Sequence, residues 1–290
     1  MKVIDIINGK KAQGKPTVSF EVFPPKTSDS IDTVMDATAE IAKLSPDFMS
    51  VTYGAGGGTS DYTVSVAQNI KNNGVTPLVH LTCVSSTEEH IKRQIEKIKQ
   101  SGMENILALR GDIPTGSDFP QNASFKYASQ LIKEIKKHGD FCIGGACYPE
   151  KHPEASTFAE DIIHLKEKVD AGCDFLTTQM FFDNNILYNY LYKIREAGVT
   201  VPVIAGIMPV TNAKQTERIC KISGNFLPQR FKIITDKFGS NPESMKQAGI
   251  AYATEQIIDL LANGVSSIHV YCMNRPEIAR KIKENLSNII

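Results

Sequence analysis

Residues 195–206 read REAGVTVPVIAG, and this stretch contains the pattern that decides the fold. A helical segment ends at Gly198, a short loop follows, and an apolar strand begins at residue 201. Glycine directly after a helix adopts the left-handed backbone conformation that closes the last turn. Loops of a few residues before a strand are typical of α/β proteins. The stretch therefore predicts a helix that packs against the strand following it.

The same pattern recurs along the chain, which indicates a repeated structural unit. It reads KNNGVTPLVHL at 71–81, KQSGMENILALR at 99–110, KKHGDFCIGGA at 136–146, VDAGCDFLTTQ at 169–179 and LANGVSSIHVY at 261–271. A further junction, AKLSPDFMSVTY at 42–53, ends its helix at Pro46, because proline disfavours a helical conformation in the residue before it. Together with a first strand at 18–23, these junctions predict eight strands that alternate with helices.

The spacing of the strands decides between one domain and two. The predicted strands start near residues 18, 48, 77, 105, 141, 175, 201 and 266, and each interval except the last is 26–36 residues long. That is the length of one βα unit. The long last interval predicts an extra helix or helices within residues 211–264, one of them beginning at Pro242.

We therefore predict an α/β fold, a single-domain (β/α)8 TIM barrel over residues 1–290, with residues 1–17 as an N-terminal lead-in. The apolar runs of the strands agree with this fold, since strands covered by helices are apolar on both faces. The alternative is a doubly wound sheet. That fold requires a glycine fingerprint after its first strand, and FEVFPP at 20–25 is not one.

Composition excludes several classes of function. The 32 basic residues balance 32 acidic ones, so the chain has no bulk attraction to nucleic acid or to an anionic membrane surface. The longest apolar stretch, 201–210, is too short to span a bilayer, and the N-terminus lacks the apolar core of a secretory signal. The six cysteines include no C-x-x-C pair. We therefore expect a cytoplasmic protein with reduced thiols, no metal site, no nucleic-acid or membrane partner, and a small-molecule substrate.

Polar side chains interrupt or end most of the apolar strands, which predicts a ligand pocket. In a (β/α)8 barrel the active site lies at the carboxyl ends of the strands. Polar groups on apolar strands cost free energy unless they are paired or used in function. These groups are Glu21, Thr52, Tyr53, His80, Arg110, Asp112, Tyr148, Gln179 and Arg275. Any one of them could be a satisfied core group, but together they predict a pocket for a polar ligand.

Glu21 is the sharpest single candidate for catalysis. It lies among Val and Phe residues in the run VSFEVF, which ends at Pro24 and Pro25. Removing a carboxyl group from water raises its pKa, and a raised pKa suits a general acid near neutral pH. The alternative reading is an ion pair between Glu21 and Arg110 or a lysine.

The ordered motifs of the chain resemble one known family. FEVFPPK, VTYGAGG, HLTC, ALRGD, ACYPEKHPEA, KVDAG, TQMFFD, GIMPV and the pair Asn274-Arg275 follow one another from about residue 18 to 275. In this order and spacing they resemble the methylenetetrahydrofolate reductases, in the bacterial form that contains only the catalytic domain. Each motif alone is weak evidence, but the ordered set is highly specific and covers nearly the whole chain.

The resemblance implies a (β/α)8 barrel that binds FAD non-covalently. It implies ping-pong reduction of 5,10-methylenetetrahydrofolate to 5-methyltetrahydrofolate by NADH or NADPH, which supplies methyl groups for methionine synthesis. Members of the family are oligomers, so we expect a homo-oligomer. The implied cofactor-binding positions are Thr52, Tyr53, Ala55, His80, Arg110, Gly111, Asp112, Ala128, Tyr148, His152, Ala155, Asp161, His164 and Lys168.

The same resemblance implies the catalytic and substrate-binding positions. Glu21 matches the acid that protonates the folate, and Asp112 matches a catalytic carboxylate near the flavin and the pterin. Gln179, Gln215 and Arg275 match further contacts with the folate. The resemblance therefore implies that Gln179, Gln215 and Arg275 bind substrate. It implies that Glu21 and Asp112 are catalytic and also contact substrate.

The charges of the implied site agree with its proposed ligands, but one position departs from the family. Arg110, His152 and Lys168 could neutralise a pyrophosphate. At Ile219 a family member has a phenylalanine that packs on the substrate, so a stacking contact is lost here. Two alternatives stay open: a flavin-free barrel lyase or methyltransferase acting on a one-carbon donor, and a non-catalytic barrel subunit.

Overall fold

Eight parallel strands form a closed barrel in which consecutive strands are hydrogen-bonded and the last strand pairs with the first. The computed structural model describes residues 1–25, 27–53, 60–84, 86–113, 116, 119–120 and 123–290. The strands are β1 Thr17–Val22, β2 Phe48–Val51, β3 Thr76–Thr82, β4 Asn105–Leu109, β5 Cys142–Cys147, β6 Phe175–Thr178, β7 Val203–Ile207 and β8 Ser267–Val270. Each begins within two residues of its predicted start, so the predicted (β/α)8 barrel is confirmed.

Helices connect the strands and cover the barrel on the outside. They are α1 Val3–Ala12, α2 Ile31–Ala42, α3 Ser60–Asn72, α4 Glu88–Gln100, α5 Ala128–His138, α6 Phe158–Asp170, α7 Asn184–Glu196, α8 Ala213–Ser223, α9 Gln229–Phe238, α10 Pro242–Ala262 and α11 Pro276–Asn285. The long interval between β7 and β8 contains α8, α9 and α10, which confirms the extra helices. No helix in the described ranges is long and apolar enough to cross a membrane.

The helix-to-strand junctions have the predicted backbone conformation. Gly198 and Gly264 have φ values of +83° and +84°, in the left-handed region that glycine adopts without strain. At the junction before β2 the helix ends ahead of Pro46, and Ser45, the residue before the proline, is not helical. Ser45 has φ +52°, and its N–H donates to the carbonyl oxygen of Ala42 at 2.9 Å.

The N-terminal lead-in contains a helix that closes the lower end of the barrel. The side chains of Val3 and Ile7, four residues apart on α1, are buried against the barrel interior. They pack with Phe48, Leu78, Leu107, Cys142, Phe175 and Ile204. The backbone N–H of Val3 donates to Asn105 Oδ1 at 2.7 Å, which fixes the helix to the start of β4. A ligand therefore has to enter from the other end, where the strands finish.

Helix α10 lies directly on the backbone that follows β7. A Cβ atom added at Gly249 would lie 1.7 Å from the carbonyl oxygen of Val210 and 2.7 Å from its carbonyl carbon. Only glycine permits this approach, because neither backbone atom can rotate away. The contact positions the additional helices relative to the open end of the barrel.

The cysteines are free thiols held in the core. Cys83, Cys142, Cys147, Cys173 and Cys272 are buried, and Cys220 is half-buried. Burial raises the pKa of Cys147 to about 12 and that of Cys272 to about 12, so both thiols stay protonated at neutral pH. They serve as small apolar packing groups, as the sequence predicted.

Candidate active site

A cavity of about 690 Å³ opens at the carboxyl ends of the strands. Ligand pockets commonly have volumes of about 300–1,000 Å³. It reaches from the barrel interior outward to the first turns of α5 and α6. The sequence-predicted residues that line it are Glu21, Thr52, Tyr53, His80, Arg110, Gly111, Asp112, Ala128, Tyr148, His152, Ala155, Asp161, His164, Lys168 and Gln179.

Three predicted site residues are not placed in the wall of this cavity. Ala55 lies outside the described residues, and Gln215 lies on α8 with its side chain outside the described part. Arg275 is described but does not line the cavity. Its guanidinium donates to Thr211 Oγ1 at 2.8 Å and to Glu277 Oε1 at 3.0 Å. The folate contact implied for Arg275 remains a prediction.

The alternation of β1 places Glu21 inside the barrel. Val18, Phe20 and Val22 pack outward in the core shared with the helices. Ser19 and Glu21 therefore point inward, because successive strand side chains face opposite sides. Glu21 is only 7% exposed, and its carboxyl group forms part of the inner wall of the cavity.

Three side chains from neighbouring strands contact the Glu21 carboxylate at Oε2. Ser50, opposite Glu21 in the register of β1 and β2, donates its hydroxyl proton to Oε2 at 3.2 Å. The Nε2 atom of His80 lies 3.5 Å from Oε2, and the Nε2 atom of His269 lies 3.6 Å from it. These contacts fix one carboxylate oxygen toward the barrel interior.

The structure contradicts the expectation that Glu21 has a raised pKa. Burial raises the pKa of this carboxyl group, as expected, but His269, His80 and Ser50 outweigh burial and lower the pKa below its ordinary value. Burial also lowers the pKa of His80 to about 4, so that ring is neutral near pH 7. The direction of the pKa shift at Glu21 could not be predicted from the sequence, because the sequence does not show which side chains face this carboxyl group.

The outer half of the cavity contains a charged pair that the sequence did not predict. Arg110 donates two hydrogen bonds to Glu154, from Nη1 to Oε2 and from Nη2 to Oε1, each 2.6 Å long. The bond raises the pKa of Arg110 and lowers the pKa of Glu154. The alternative ion pair between Glu21 and Arg110 is therefore wrong, since Arg110 binds a different carboxylate.

Further basic and aromatic groups surround this pair. Lys168 is half-buried and donates from Nζ to the carbonyl oxygen of Ala146 at 2.5 Å, and its partial burial lowers its pKa. The backbone N–H of His152 donates to Asp161 Oδ2 at 3.1 Å, which orders the loop after β5. The ring of Tyr148 contacts the His152 ring edge-on, with 4.6 Å between centroids.

The backbone around the outer half can approach an anionic group closely. Ala128 and Ser129, in the first turn of α5, line the cavity, and the N–H groups of a first turn attract phosphates. Gly111 has φ +92°, and a Cβ there would lie 3.1 Å from side-chain atoms of Thr82 and Val84. A phosphate-bearing cofactor therefore fits the chemistry of this half of the cavity.

Two amides order the remaining rim. Gln179 accepts a hydrogen bond from the N–H of Met180 at 2.9 Å through its own side-chain oxygen, which orients the amide. Asn274 joins the ends of β8 and β1, because its side chain accepts from Phe23 N at 2.7 Å and donates to Phe23 O at 2.9 Å. Asn274, one of the motif residues, therefore has a structural role: it holds the ends of β8 and β1 together at the rim.

Sequence reasoning missed several residues that shape this site. Ser50, His269 and Glu154 were not candidates. His269 is buried and contacts Glu21. Period-two alternation along β8 could have placed its ring inside the barrel. No local signal could have paired Glu154 with Arg110.

Known proteins share both the sequence and the fold of this chain. The family model for methylenetetrahydrofolate reductase matches residues 6–287. The 5,10-methylenetetrahydrofolate reductase of Escherichia coli is 36% identical over 277 residues, covering 95% of this chain and 92% of that protein. The methylenetetrahydrofolate reductase (NADH) 1 of Arabidopsis thaliana is 36% identical over 303 residues, covering the whole chain and 51% of that protein. The chain thus spans about half the length of its plant relatives.

A solved structure agrees in fold. An uncharacterized protein from Clostridium thermocellum, which binds two copies of 5-methyl-5,6,7,8-tetrahydrofolic acid, matches with a TM-score of 0.67 and 16% identity. The match covers 98% of this chain and 100% of that chain, and at this identity it supports the barrel fold alone. The family model, by contrast, matches nearly the whole sequence, and the bacterial relative does so at 36% identity. This chain therefore belongs to the methylenetetrahydrofolate reductase family.

Proposed function

We propose that this chain reduces 5,10-methylenetetrahydrofolate to 5-methyltetrahydrofolate with electrons from NADH or NADPH, by way of non-covalently bound FAD. The observation that supports this best is a single cavity with two chemically different halves. A buried carboxyl group, Glu21, lines the inner half, and the cations Arg110 and Lys168 line the outer half. An acid next to a cation-lined cofactor site is what reduction of this folate requires. The product supplies methyl groups for methionine synthesis.

The residues of the outer half suit a flavin dinucleotide. Arg110, Lys168 and the first turn of α5 can neutralise a pyrophosphate. Buried His80 Nε2 has no hydrogen-bond partner among the described residues, so it is open to a ligand group. Tyr127, 59% exposed, stacks on His164 at the mouth and offers a platform for an aromatic ring. The chemistry that FAD supplies when bound is two-electron transfer between the nicotinamide and the folate.

Glu21 has the role of general acid in this proposal. It donates a proton to the amine nitrogen of the methylene bridge, so that the bridge opens to an electrophilic iminium ion. Gln179 offers both a donor and an acceptor, which suits contact with the folate and the nicotinamide in turn. Burial raises the pKa of Glu21, but its partner groups lower it overall, which makes the protonated carboxyl group a stronger acid.

The cofactor assignment is tested by the purified protein itself. We expect a yellow protein that releases FAD, one molecule per chain, when it is denatured. Chromatography of the released material against FAD and FMN standards measures both identity and amount. A colourless protein that does not bind added FAD would overturn the proposal and favour a flavin-free barrel enzyme.

Replacing Asp112 with asparagine is expected to raise the flavin midpoint potential while FAD remains bound. The Asp112 carboxylate is exposed at the cavity and disfavours added negative charge nearby. A screened charge interaction of about 1 kcal/mol corresponds to a shift of about 20 mV for a two-electron couple. Dye-linked potentiometry measures the shift. An unchanged potential would contradict the electrostatic role of Asp112.

Replacing Glu154 with glutamine is expected to strengthen FAD binding. Glu154 neutralises Arg110 and competes with an anionic ligand for the guanidinium. Because the Glu154 carboxylate is half-exposed, the gain should be modest, about two- to fivefold in Kd. Fluorescence titration of the deflavinated protein measures it, with Glu160→Gln as a control that removes a cavity carboxylate without an Arg110 contact. Equal or weaker binding by Glu154→Gln would contradict competition.

A further inference from the structure

We infer that the helices inserted between β7 and β8 position Gln179 at the rim of the cavity. Side chains from this insert, residues 213–262, bind three successive backbone carbonyl groups just after Gln179. Asn225, Gln256 and Tyr252 are therefore positioning residues. The inference rests on the proposed function only in assigning the folate and the nicotinamide to Gln179. How Gln179 is held is a property of the protein that can be measured without substrate.

The chain leaves the sheet directly before Gln179 and runs through a buried loop. Strand β6 ends one residue before Gln179, and helix α7 begins five residues after it. Met180, Phe181 and Phe182, in this loop, are buried. A buried carbonyl group without a hydrogen bond costs free energy, and neither a strand nor a helix pairs the carbonyl groups here. Side chains from elsewhere in the chain have to bind them.

Helix α10 supplies two of the three donors from one face. The hydroxyl of Tyr252 donates to the carbonyl oxygen of Phe182 at 2.6 Å. Gln256, one turn further along the same face, donates from Nε2 to the carbonyl oxygen of Phe181 at 3.2 Å. Gly249 lies on this face too, and its close contact with the backbone after β7 sets the position of α10. The same helix therefore touches the chain after β7 and the loop after β6.

The third donor follows α8 and is itself held by a carboxylate. Asn225 donates from Nδ2 to the carbonyl oxygen of Met180 at 2.8 Å and to Glu150 Oε1 at 3.0 Å. The other oxygen of Glu150 accepts from the backbone N–H of Phe226 at 2.6 Å. Glu150 thus fixes both the side chain and the backbone at this point. Asn225 cannot turn away from Met180 without losing these bonds.

The two amides among these donors are used for their N–H groups alone. Asn225 and Gln256 are 8% and 6% exposed. Asn225 Oδ1 and Gln256 Oε1 are buried, and neither has a hydrogen-bond partner among the described residues. An unpaired buried acceptor costs stability, so its presence in a folded protein calls for a reason other than stability. Holding the loop that follows Gln179 supplies that reason.

Met180 connects the insert to the side chain of Gln179. The backbone N–H of Met180 donates to Gln179 Oε1 at 2.9 Å, while its carbonyl oxygen accepts from Asn225. The backbone N–H of Gln179 donates in turn to the carbonyl oxygen of Cys147 at 2.7 Å. The direction of the Gln179 amide therefore depends on the backbone of Met180, and the insert fixes that backbone.

Replacing Asn225 with leucine is expected to raise the KM for methylenetetrahydrofolate about tenfold and to leave kcat within about threefold. Leucine has a similar volume and also removes the unpaired Oδ1 atom, so the fold should be retained. Steady-state kinetics of the holoenzyme measure both constants, and urea unfolding checks stability. Tyr252→Phe removes only a hydroxyl and should raise this KM about threefold. The control Tyr192→Phe changes a tyrosine on α7 that is 71% exposed, and it should alter neither constant.

A double substitution separates positioning from a general loss of structure. In a Gln179→Ala protein the insert has no amide left to position, so adding Asn225→Leu should not raise the KM further. A rise that persists in the Gln179→Ala background would overturn the inference, as would a wild-type KM in Asn225→Leu. If Asn225→Leu does not fold, Tyr252→Phe in the same two backgrounds decides by the same criteria.

Hydrogen exchange at the Met180 N–H, followed by NMR without substrate, is independent of the proposed function. Gln179 Oε1 binds this N–H, whereas Asn225 binds the carbonyl group of Met180, so faster exchange reports movement of Gln179. We expect about tenfold faster exchange in Asn225→Leu, with the amides of β8 unchanged. Unchanged exchange at Met180 would overturn the inference. If the wild type does not reduce the folate, the proposed function fails, while the exchange result still decides how Gln179 is held.

Discussion

Replacing Glu21 with glutamine is expected to stop reduction of methylenetetrahydrofolate while NADH still reduces the bound flavin. Glutamine has nearly the same shape and can still accept the hydrogen bond of Ser50, but its amide has no acidic proton to transfer. General acids contribute about 10²- to 10⁴-fold, and we expect a loss of about 10³-fold in the folate half-reaction. Stopped-flow absorbance, with each substrate added separately to the enzyme, measures the two half-reactions.

The matched control for this variant is Glu104→Gln. Glu104 lies at the closed end of the barrel, where it binds the N-terminal ammonium of Met1, and its loss should change neither half-reaction. If Glu21→Gln lost both half-reactions, Glu21 would be a structural residue. If it retained folate reduction, the acid would have to be another group.

Replacing Gly249 with alanine is expected to destabilise the barrel by about 3 kcal/mol or more, beyond most overpacking changes. The added methyl group would lie 1.7 Å from the carbonyl oxygen of Val210, and only a shift of α10 away from the end of β7 could relieve this. Urea unfolding measures the free energy. Because α10 positions the helices beside the cavity, weaker FAD binding should accompany the loss of stability.

Gly9→Ala is the control, because it replaces a helical glycine with alanine where there is no close contact. Gly9 also lies within a helix, but a Cβ there would meet no atom within 4 Å. Alanine in an open helical position stabilises by about 0.5–1 kcal/mol. A Gly249→Ala protein as stable as wild type would contradict the close contact between α10 and the Val210 backbone.

The fold was predictable because local signals repeat. A glycine after the helix and an apolar run after that glycine mark six of the eight strand starts, and Pro46 marks a seventh. No long-range information is needed to count them. The closing of the barrel by α1 was not predictable in the same way. Val3 and Ile7 form a short apolar face, but the surface that receives them is assembled from the six strands β2 to β7 only in the folded chain.

The site was predictable in position but not in electrostatics. Polar residues at the strand ends converge because parallel strands end at the same rim, which the sequence alone implied for Glu21 and Arg110. The sign of the pKa shift at Glu21 depended on His269, which is distant in sequence and becomes a neighbour only when β8 pairs with β1. Pairwise contacts of this kind are set by closure of the barrel.

The central claim is that one cavity passes electrons from a nicotinamide to methylenetetrahydrofolate through a flavin. An anaerobic titration with two additions tests it most directly. We predict that NADH bleaches the visible flavin absorption, and that methylenetetrahydrofolate then restores it with formation of one 5-methyltetrahydrofolate per flavin. Absorption that bleaches but does not return with the folate, or that never bleaches with NADH or NADPH, would contradict the account.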